Sequence, residues 1–317
     1  MLTQHYILAR FFAMLALVVC GVGMSLGQGT VGFLRTSEGA PGTPTNKSAR
    51  VAASTQSFTF ERNLIFFEAL VDGRPGRFIL DTGAPSLIMN DRGQGSVAGS
   101  YTGLGAGGEV RLSDHRVDRF EMGGRRVENY WAIGLDLSAF EERTDRRIDG
   151  FVGYDLLNRG ELRIDYGQEI FELRRSVRRP THGGRAPRAV LKFFLLDHLP
   201  VVQLELNGRK WYFALDTGAG ANLLDGAVVS SVAARVTANG MNVQGLDGAP
   251  ADCPVVATPL PSGLPVTAGV GEVEFVAMGV AHLQQPQGVQ LAGVLGSAFL
   301  SRYTVGIDYR RQRVYLW

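Results

Sequence analysis

The sequence predicts a mainly β protein with two lobes, related by a pseudo-twofold axis and separated by a cleft. Three observations support this fold class. Alternating apolar and polar residues dominate from Ser57 onward, which is the pattern of half-buried strands. The chain repeats two long blocks of its own sequence, and it carries the tetrapeptide Asp-Thr-Gly-Ala twice. A chain of 317 residues is long enough to form two such lobes.

The internal repeat consists of two blocks that recur in the same order. Residues 63–84, NLIFFEALVDGRPGRFILDTGA, align without a gap with residues 198–219, HLPVVQLELNGRKWYFALDTGA. Residues 150–173 align in the same way with residues 293–316, and both copies contain an apolar-apolar-Gly motif and the sequence Ile-Asp-Tyr. The copies differ in length between these blocks only on the scale of a loop. Within the first block, Asp72-Gly73 separates two apolar runs and predicts a hairpin turn.

The repeats divide the chain into five segments. We expect a signal peptide in residues 1–27, a flexible leader in residues 28–56, an N-terminal lobe in residues 57–173, a basic linker in residues 174–188 and a C-terminal lobe in residues 189–317. The first segment has Arg10 as its only Lys or Arg, then a short apolar run and small residues suited to cleavage. An uncleaved membrane tether and lipidation at Cys20 remain alternatives, although Val19 replaces the small residue usual before a lipidated cysteine.

Charge and cysteine content indicate a compartment and exclude some partners. We expect an exported protein, periplasmic or associated with the cell envelope, in which Cys253 forms no internal disulfide after cleavage.

Residues 173–196 hold seven basic residues and no acidic one. We interpret residues 174–188 as an exposed linker open to proteolysis, with contact to an anionic surface as the alternative. Nucleic acid is not expected as a partner, because basic residues are not interleaved with aromatic ones.

Each Asp-Thr-Gly-Ala turn places a carboxylate, Asp81 or Asp216, at the end of an apolar strand. Pseudo-twofold packing would bring the equivalent turns face to face. Two carboxylates at hydrogen-bonding distance do not both ionise readily, so the pair holds one proton over a broad pH range. Such a pair offers a base that activates water and an acid that hydrogen-bonds the attacked carbonyl. The sequence therefore predicts hydrolysis of a peptide or protein substrate without a covalent intermediate, a metal or a cofactor.

Over most of its length the chain resembles the aspartic peptidases, and most of all their retroviral-type, retropepsin-like branch. The two Leu-Asp-Thr-Gly-Ala motifs carry this resemblance, together with the later glycine motifs at residues 151–153 and 294–296. The resemblance implies an acid-protease-like fold of two closed β lobes, in which each later glycine motif crosses behind a catalytic turn. It implies that Asp81 and Asp216 are the catalytic pair. The residues implied to support this pair are Thr82, Gly83, Ala84, Thr217, Gly218 and Ala219.

The resemblance also implies specific roles for these supporting residues. Thr82 and Thr217 would interlock the two turns, and the glycines would let backbone amides approach the carboxylates. The alanines match the retroviral form and lack the hydroxyl of pepsin-like enzymes, so the apparent pKa values of the pair should be higher than in a pepsin-like site. A β-hairpin flap is implied as well, with residues 103–111 and 240–249 as candidates. Their possible hinge glycines are Gly105, Gly107, Gly108, Gly245 and Gly248.

Several alternatives remain open on the sequence alone. The fold could be an inactive module that binds peptides, or each lobe could pair with its twin in a second chain, although we expect a monomer with pseudo-dimeric lobes. Residues 103–108 match the G-x-G-x-x-G spacing of nucleotide-binding sites, but a strand-like sequence follows instead of a helix. The Asp residues of both Ile-Asp-Tyr motifs are expected to be structural. The scattered histidines, expected at the surface or in turns, are His115, His182, His198 and His282.

Overall fold

The computed structural model describes residues 13–15, 31–33, 54–92, 100–104, 109–232, 234–243, 251–266, 271–280 and 288–317. Strands greatly outnumber helices among these residues, so the prediction of a mainly β protein is confirmed. The strands are β1 (Ala13–Leu15), β2 (Val31–Phe33), β3 (Ser54–Ser57), β4 (Thr59–Glu61), β5 (Leu64–Val71), β6 (Arg74–Leu80), β7 (Ile88–Asn90), β8 (Ser100–Leu104), β9 (Glu109–Met122), β10 (Arg125–Leu135), β11 (Gly150–Val152), β12 (Glu161–Asp165), β13 (Ile170–Arg174), β14 (Ala189–Leu196), β15 (Leu199–Leu206), β16 (Arg209–Asp216), β17 (Leu223–Leu224), β18 (Arg235–Val243), β19 (Ala251–Pro259), β20 (Glu272–Ala277), β21 (Leu291–Gly296), β22 (Thr304–Asp308) and β23 (Arg313–Leu316). The helices are α1 (Ser138–Thr144), α2 (Tyr154–Leu157), α3 (Ser297–Leu300) and a 3-10 helix at Val229–Ser231.

The strands form three sheets. β1 and β2 make a two-stranded sheet, and the strands of the first repeat form an eight-stranded sheet in the order β4-β5-β6-β11-β7-β10-β9-β8. The third sheet has 13 strands in the order β18-β19-β20-β17-β21-β16-β15-β14-β23-β22-β12-β13-β3. Strands β12 and β13 come from the first repeat, but β12 pairs with β22 of the second. The two repeats therefore share one sheet.

The repeated blocks fold in the same way. In each copy an antiparallel hairpin, β5–β6 or β15–β16, leads to the Asp-Thr-Gly-Ala turn. The predicted hairpin turn is present at Asp72-Gly73, where φ is 51° and 81°. Asn207-Gly208 makes the equivalent turn in the second repeat, with φ of 50° and 70°. Positive φ at both central residues matches the right-handed twist of the two strands, and Asn, Asp and Gly tolerate it best.

The largest buried apolar cluster contains residues from both repeats. Phe67 of β5 packs edge-to-face on Phe171 of β13, with ring centroids 5.0 Å apart. Phe193 of β14 packs in the same way on Tyr309, at 6.0 Å. Such pairs bury large apolar areas in a defined geometry. Two smaller clusters lie within the first and second repeats respectively.

Within the shared sheet, β12 and β22 have two chemically different faces. Side chains alternate along a strand, so Asp165 and Asp308 lie on the face opposite to Ile164 and Ile307. Tyr166 and Tyr309 follow the two strands directly. Both tyrosines are buried in the large apolar cluster. Asp165 Oδ1 accepts the backbone N–H of Gln168 at 3.0 Å, and Asp308 Oδ1 accepts the backbone N–H groups of residues 310 and 311, both at 3.1 Å. The structural role expected for these two aspartates is therefore confirmed.

The structure describes part of the expected flexible leader and the whole of the expected exposed linker. The expected leader, residues 28–56, overlaps strand β3, which pairs with β13, and strand β2, which pairs with β1 inside the expected signal peptide. The other residues up to 53 lie outside the described part of the chain. The linker is described throughout, and its backbone contacts the shared sheet, for example through a hydrogen bond from Arg188 N to Leu316 O of β23 at 2.8 Å. Among the described residues, no helix has the length and apolar character needed to cross a bilayer.

Candidate active site

Parallel strand pairs position the two Asp-Thr-Gly-Ala turns. β11 runs parallel to the end of β6, and Asp81 N donates to Val152 O at 3.0 Å. In the second repeat β21 runs parallel to β16, with Gly296 opposite Asp216. Each later glycine motif therefore passes directly behind an Asp-Thr-Gly-Ala turn, as the resemblance implies.

The glycines of these later motifs are required by close approach to the turns. A Cβ atom on Gly153 would lie 2.6 Å from Ser86 O, and one on Gly296 would overlap the backbone oxygens of Ala219 and Ala221. Such distances are shorter than real Cβ contacts, so the backbones could not pack as they do with another residue. The residue after each glycine then donates its backbone N–H to the turn, at 2.9 Å in the first repeat and 2.7 Å in the second.

Thr82 and Thr217 join the two turns through reciprocal hydrogen bonds. Thr82 N donates to Thr217 Oγ1, and Thr217 N donates to Thr82 Oγ1, both at 3.0 Å. Each hydroxyl also donates to a carbonyl across the interface: Thr82 Oγ1 to Leu215 O at 3.2 Å, and Thr217 Oγ1 to Leu80 O at 2.8 Å. Both threonines are buried. The structure therefore brings together the two turns predicted from the repeat, within one chain.

The carboxyl groups of Asp81 and Asp216 lie side by side above this network. Asp81 Oδ1 accepts the backbone N–H groups of Gly83 at 2.8 Å and Ala84 at 3.0 Å, and Asp216 Oδ1 accepts that of Gly218 at 2.8 Å. A Cβ on Gly83 would lie 2.5 Å from Asp216 Cγ, and one on Gly218 would lie 2.5 Å from Asp81 Oδ1. Each glycine thus leaves room for the carboxyl group of the opposite turn.

The environment of Asp81 favours its protonated form. Its pKa is raised well above the ordinary value, first by burial, then by the charge of Asp216 and by a hydrogen bond to the Asp216 carboxyl. The amide donors of Gly83 and Ala84 act in the opposite direction but are outweighed. Asp81 Oδ2 is buried and receives no hydrogen bond from any other described N–H or O–H group. This arrangement suits one proton held between the two carboxyl groups.

Two residues outside the predicted set reach across to the opposite turn. His198 is buried, and its Nε2 lies 2.8 Å from Gly83 O. Asn63, the residue aligned with it in the first repeat, donates from Nδ2 to Gly220 O at 2.9 Å. His198 does lie in a turn, as expected, but it is not at the surface. The sequence contained an indication for both residues, because they are the first aligned pair in the gapless alignment of the repeats.

Tyr309 is a second feature near the carboxylates that the sequence did not single out. Its pKa is raised by burial first and then by Tyr154, Asp81 and Asp216. Its ring packs edge-to-face on Tyr154 at 5.5 Å, and its hydroxyl has no hydrogen-bond partner among the described residues. Tyr166, its counterpart in the first repeat, lies with its hydroxyl 3.4 Å from Ser297 Oγ, which donates to Thr217 O at 3.0 Å. The tyrosines of the Ile-Asp-Tyr motifs therefore lie beneath the two turns.

The structure describes the flanks of the flap candidates but not their centres. β8 and β9 form an antiparallel hairpin around residues 105–108, and β18 and β19 form another around residues 244–250. Gly105, Gly107, Gly108, Gly245 and Gly248 lie outside the described residues. Strands on both sides of residues 105–108 agree with the rejection of a nucleotide-binding motif there. Asp81 and Asp216 are both fully buried.

Comparison with known protein families supports the protease interpretation of the first repeat. Residues 67–156 match the family model described as Aspartyl protease. The resemblance to retropepsin-like aspartyl proteases is thereby confirmed for this segment, which contains Asp81 and the glycine motif at residues 151–153. The second repeat lies outside the aspartyl protease segment, so its assignment depends on the internal repeat. A comparison with curated proteins finds no match to the chain. Among the described residues, His, Cys, Asp and Glu form no group of three or more that could hold a metal ion.

Replacing Gly83 by alanine should destabilise the junction between the turns. The new methyl group would overlap the Asp216 carboxyl, and overpacking of this kind costs about 1–3 kcal/mol of unfolding free energy. Urea denaturation measures this change. Gly226→Ala is the matched control, because a Cβ there meets no atom within 4 Å. Equal stability of the two variants would show that the turns do not pack as described.

Replacing His198 by alanine should leave the Gly83 carbonyl without its partner and lower the unfolding free energy by about 1–3 kcal/mol. His198→Asn should recover part of this loss, because Asn63 makes the corresponding bond in the other repeat. Urea denaturation of both variants checks this, with His115→Ala on strand β9 as the control. An asparagine variant no more stable than the alanine variant would contradict a hydrogen-bonding role.

Proposed function

We propose that the protein is an aspartic endopeptidase in which Asp81 and Asp216 share one proton and activate a water molecule. The observation that carries this proposal is the placement of two buried carboxyl groups side by side, with a raised pKa at Asp81. The aspartyl protease match of residues 67–156 supports it. The intact threonine network supports it further, because it holds the two carboxyl groups at a fixed separation.

The proposed reaction uses the ionised and protonated carboxyl groups in complementary roles. The ionised member takes a proton from a water held between the pair, and that water attacks the carbonyl carbon of the scissile peptide bond. The protonated member hydrogen-bonds the carbonyl oxygen as negative charge develops there. The carboxyl group that took the proton from water then donates it to the leaving nitrogen. The C–N bond breaks, and the pair returns to its singly protonated state. No covalent bond to the enzyme forms at any stage.

We propose that an extended peptide binds by backbone hydrogen bonds, in the manner of an added strand. The centres of the hairpins β8–β9 and β18–β19 would form flaps over this peptide. We further propose that the chain acts as a monomer, because a single chain carries both carboxyl groups. Its expected export to the periplasm or cell envelope depends on the N-terminal sequence alone.

Changing either aspartate to asparagine should abolish peptide hydrolysis. General acid–base groups contribute about 100-fold to 10,000-fold to rate, and the shared proton needs both carboxyls. A mixed peptide library assayed with Asp81→Asn and Asp216→Asn measures this, with the exposed Asp118→Asn as control. Near-full activity of either variant would show that the two repeats do not share a site. Peptide binding without turnover by the unaltered protein at every pH would instead identify an inactive binding module.

The raised pKa of Asp81 predicts the pH dependence of both activity and stability. The singly protonated pair should persist to higher pH than in a pepsin-like site, so activity should peak at mildly acidic to near-neutral pH; a peak near about pH 2 would contradict this.

The same raised pKa predicts how stability depends on pH. Because the pKa of Asp81 is raised in the folded state, the stability due to its proton is present below the unfolded pKa and lost as pH rises through the folded pKa. Asp81→Asn should therefore melt above the unaltered protein at neutral pH, with the difference disappearing in acid.

A further inference from the structure

The basic linker is bound along the outer face of the shared sheet, the face that carries Asp165 and Asp308. Ser176 Oγ donates to Asp308 Oδ2 at 2.6 Å, and Arg163 Nη1 of β12 donates to Thr181 O at 2.6 Å. The linker backbone also contacts the end of the chain through the bond from the Trp317 indole to residue 185. Its position on the sheet is therefore fixed by hydrogen bonds at several points along its length.

The acidic groups beneath the linker are buried and already paired, one with a neighbour on the sheet and two with residues of the linker. Glu161 Oε1 pairs with Arg163 Nη2 at 2.6 Å, and both side chains are almost fully buried. Asp165 Oδ2 lies 3.1 Å from His182 Nε2. Asp308 is fully buried and accepts the Ser176 hydroxyl. These carboxylates consequently do little to neutralise basic side chains on the solvent side of the linker.

The solvent side of the linker is basic, with apolar residues at intervals. Its exposed arginines and its exposed valine, here called the linker surface, are Arg175, Val177, Arg178, Arg179, Arg185 and Arg188. Val177 is 46% exposed, which is unusual for a large apolar side chain in this protein. Val190 at the start of β14 is also exposed, at 52%. Arg310 extends the surface, because its backbone N–H binds Asp308, the residue that also holds Ser176.

We propose that the linker surface binds the anionic headgroups of a phospholipid bilayer. Clustered arginines are attracted to such a surface, while exposed valines can enter its apolar boundary. Binding to single-stranded nucleic acid is the less favoured alternative, because it uses aromatic side chains on which bases stack, and residues 174–190 contain no Phe, Tyr or Trp. This proposal does not depend on the proposed peptidase activity.

The geometry of the shared sheet determines how a bound molecule would be oriented. Tyr309 and Tyr166 lie on the inner face, close to the Asp-Thr-Gly-Ala turns, whereas the linker lies on the outer face. The two carboxyl groups and the linker surface are therefore on opposite sides of one sheet. A protein held to a membrane by the linker surface would keep its paired aspartates directed away from the lipid.

Vesicle sedimentation with the full chain tests this proposal. The protein is mixed with vesicles of phosphatidylcholine alone or with added phosphatidylglycerol, at low and high salt. Binding should require the anionic lipid and weaken with salt, because exposed charges are screened. Each arginine near such a surface adds about fivefold to affinity, so Arg178→Glu with Arg179→Glu should reduce partitioning by at least about 25-fold. Val177→Ser should give a smaller, salt-independent loss.

The control is Arg74→Glu with Lys210→Glu, which changes the net charge equally at exposed sites outside the linker. It should retain more vesicle binding than the linker variant. All these proteins keep the same N-terminal segment, so insertion of that segment into neutral vesicles cancels from the comparison. Equal losses of vesicle binding in the two double variants would overturn the proposal. Binding that is the same with and without the anionic lipid would overturn it as well. So would tighter binding to a single-stranded oligonucleotide than to the anionic vesicles, measured by fluorescence anisotropy.

Discussion

The reciprocal hydrogen bonds between Thr82 and Thr217 are the constraint on which the site depends. Each threonine accepts a backbone N–H from the opposite turn and donates its hydroxyl to a carbonyl of the opposite strand. All four bonds are buried, where an unpaired polar group would cost about 1–3 kcal/mol. The turns cannot separate, or slide past one another, without losing several of these bonds together. The distance between Asp81 and Asp216 is therefore set by the backbone rather than by the carboxyl groups themselves.

This rigidity forces together two groups that repel each other when both are ionised. Opposing effects act on the pKa of Asp81: the N–H groups of Gly83 and Ala84 favour the anion, while burial and Asp216 favour the acid. Burial and Asp216 prevail, so the pKa of Asp81 is raised. Tyr309 adds a buried hydroxyl close by, with no partner among the described groups. Unfavourable local arrangements, such as adjacent carboxyl groups and a buried unpaired hydroxyl, persist where the surrounding fold determines the geometry. They are concentrated at functional sites.

The sequence predicted the features that depend on local pattern and on the repeat. Alternation predicted strands and Asp72-Gly73 predicted a hairpin, whereas the packing of the two glycine motifs behind the turns was implied by the resemblance to aspartic peptidases. The shared sheet was not predicted, because pairing of β12 with β22 is a contact between distant segments that no local pattern specifies. His198 was assigned only to a turn or the surface, since a single histidine carries no periodic signal of burial. Its alignment with Asn63 was the observation that could have placed it at the site.

The shared sheet also explains why Ile-Asp-Tyr recurs in both repeats. In each copy the motif ends a strand with a buried isoleucine on the inner face and a carboxylate on the outer face, and the tyrosine that follows is buried in the same apolar cluster as the isoleucine. Tyr309 lies beneath the paired aspartates, and Asp308 binds Ser176 of the linker. From the sequence alone, the basic linker is most simply interpreted as a solvated connection between the repeats. In the structure its backbone is bound to the outer face of the shared sheet. The linker therefore presents its arginines at fixed positions, on the side of the sheet opposite to the carboxyl pair.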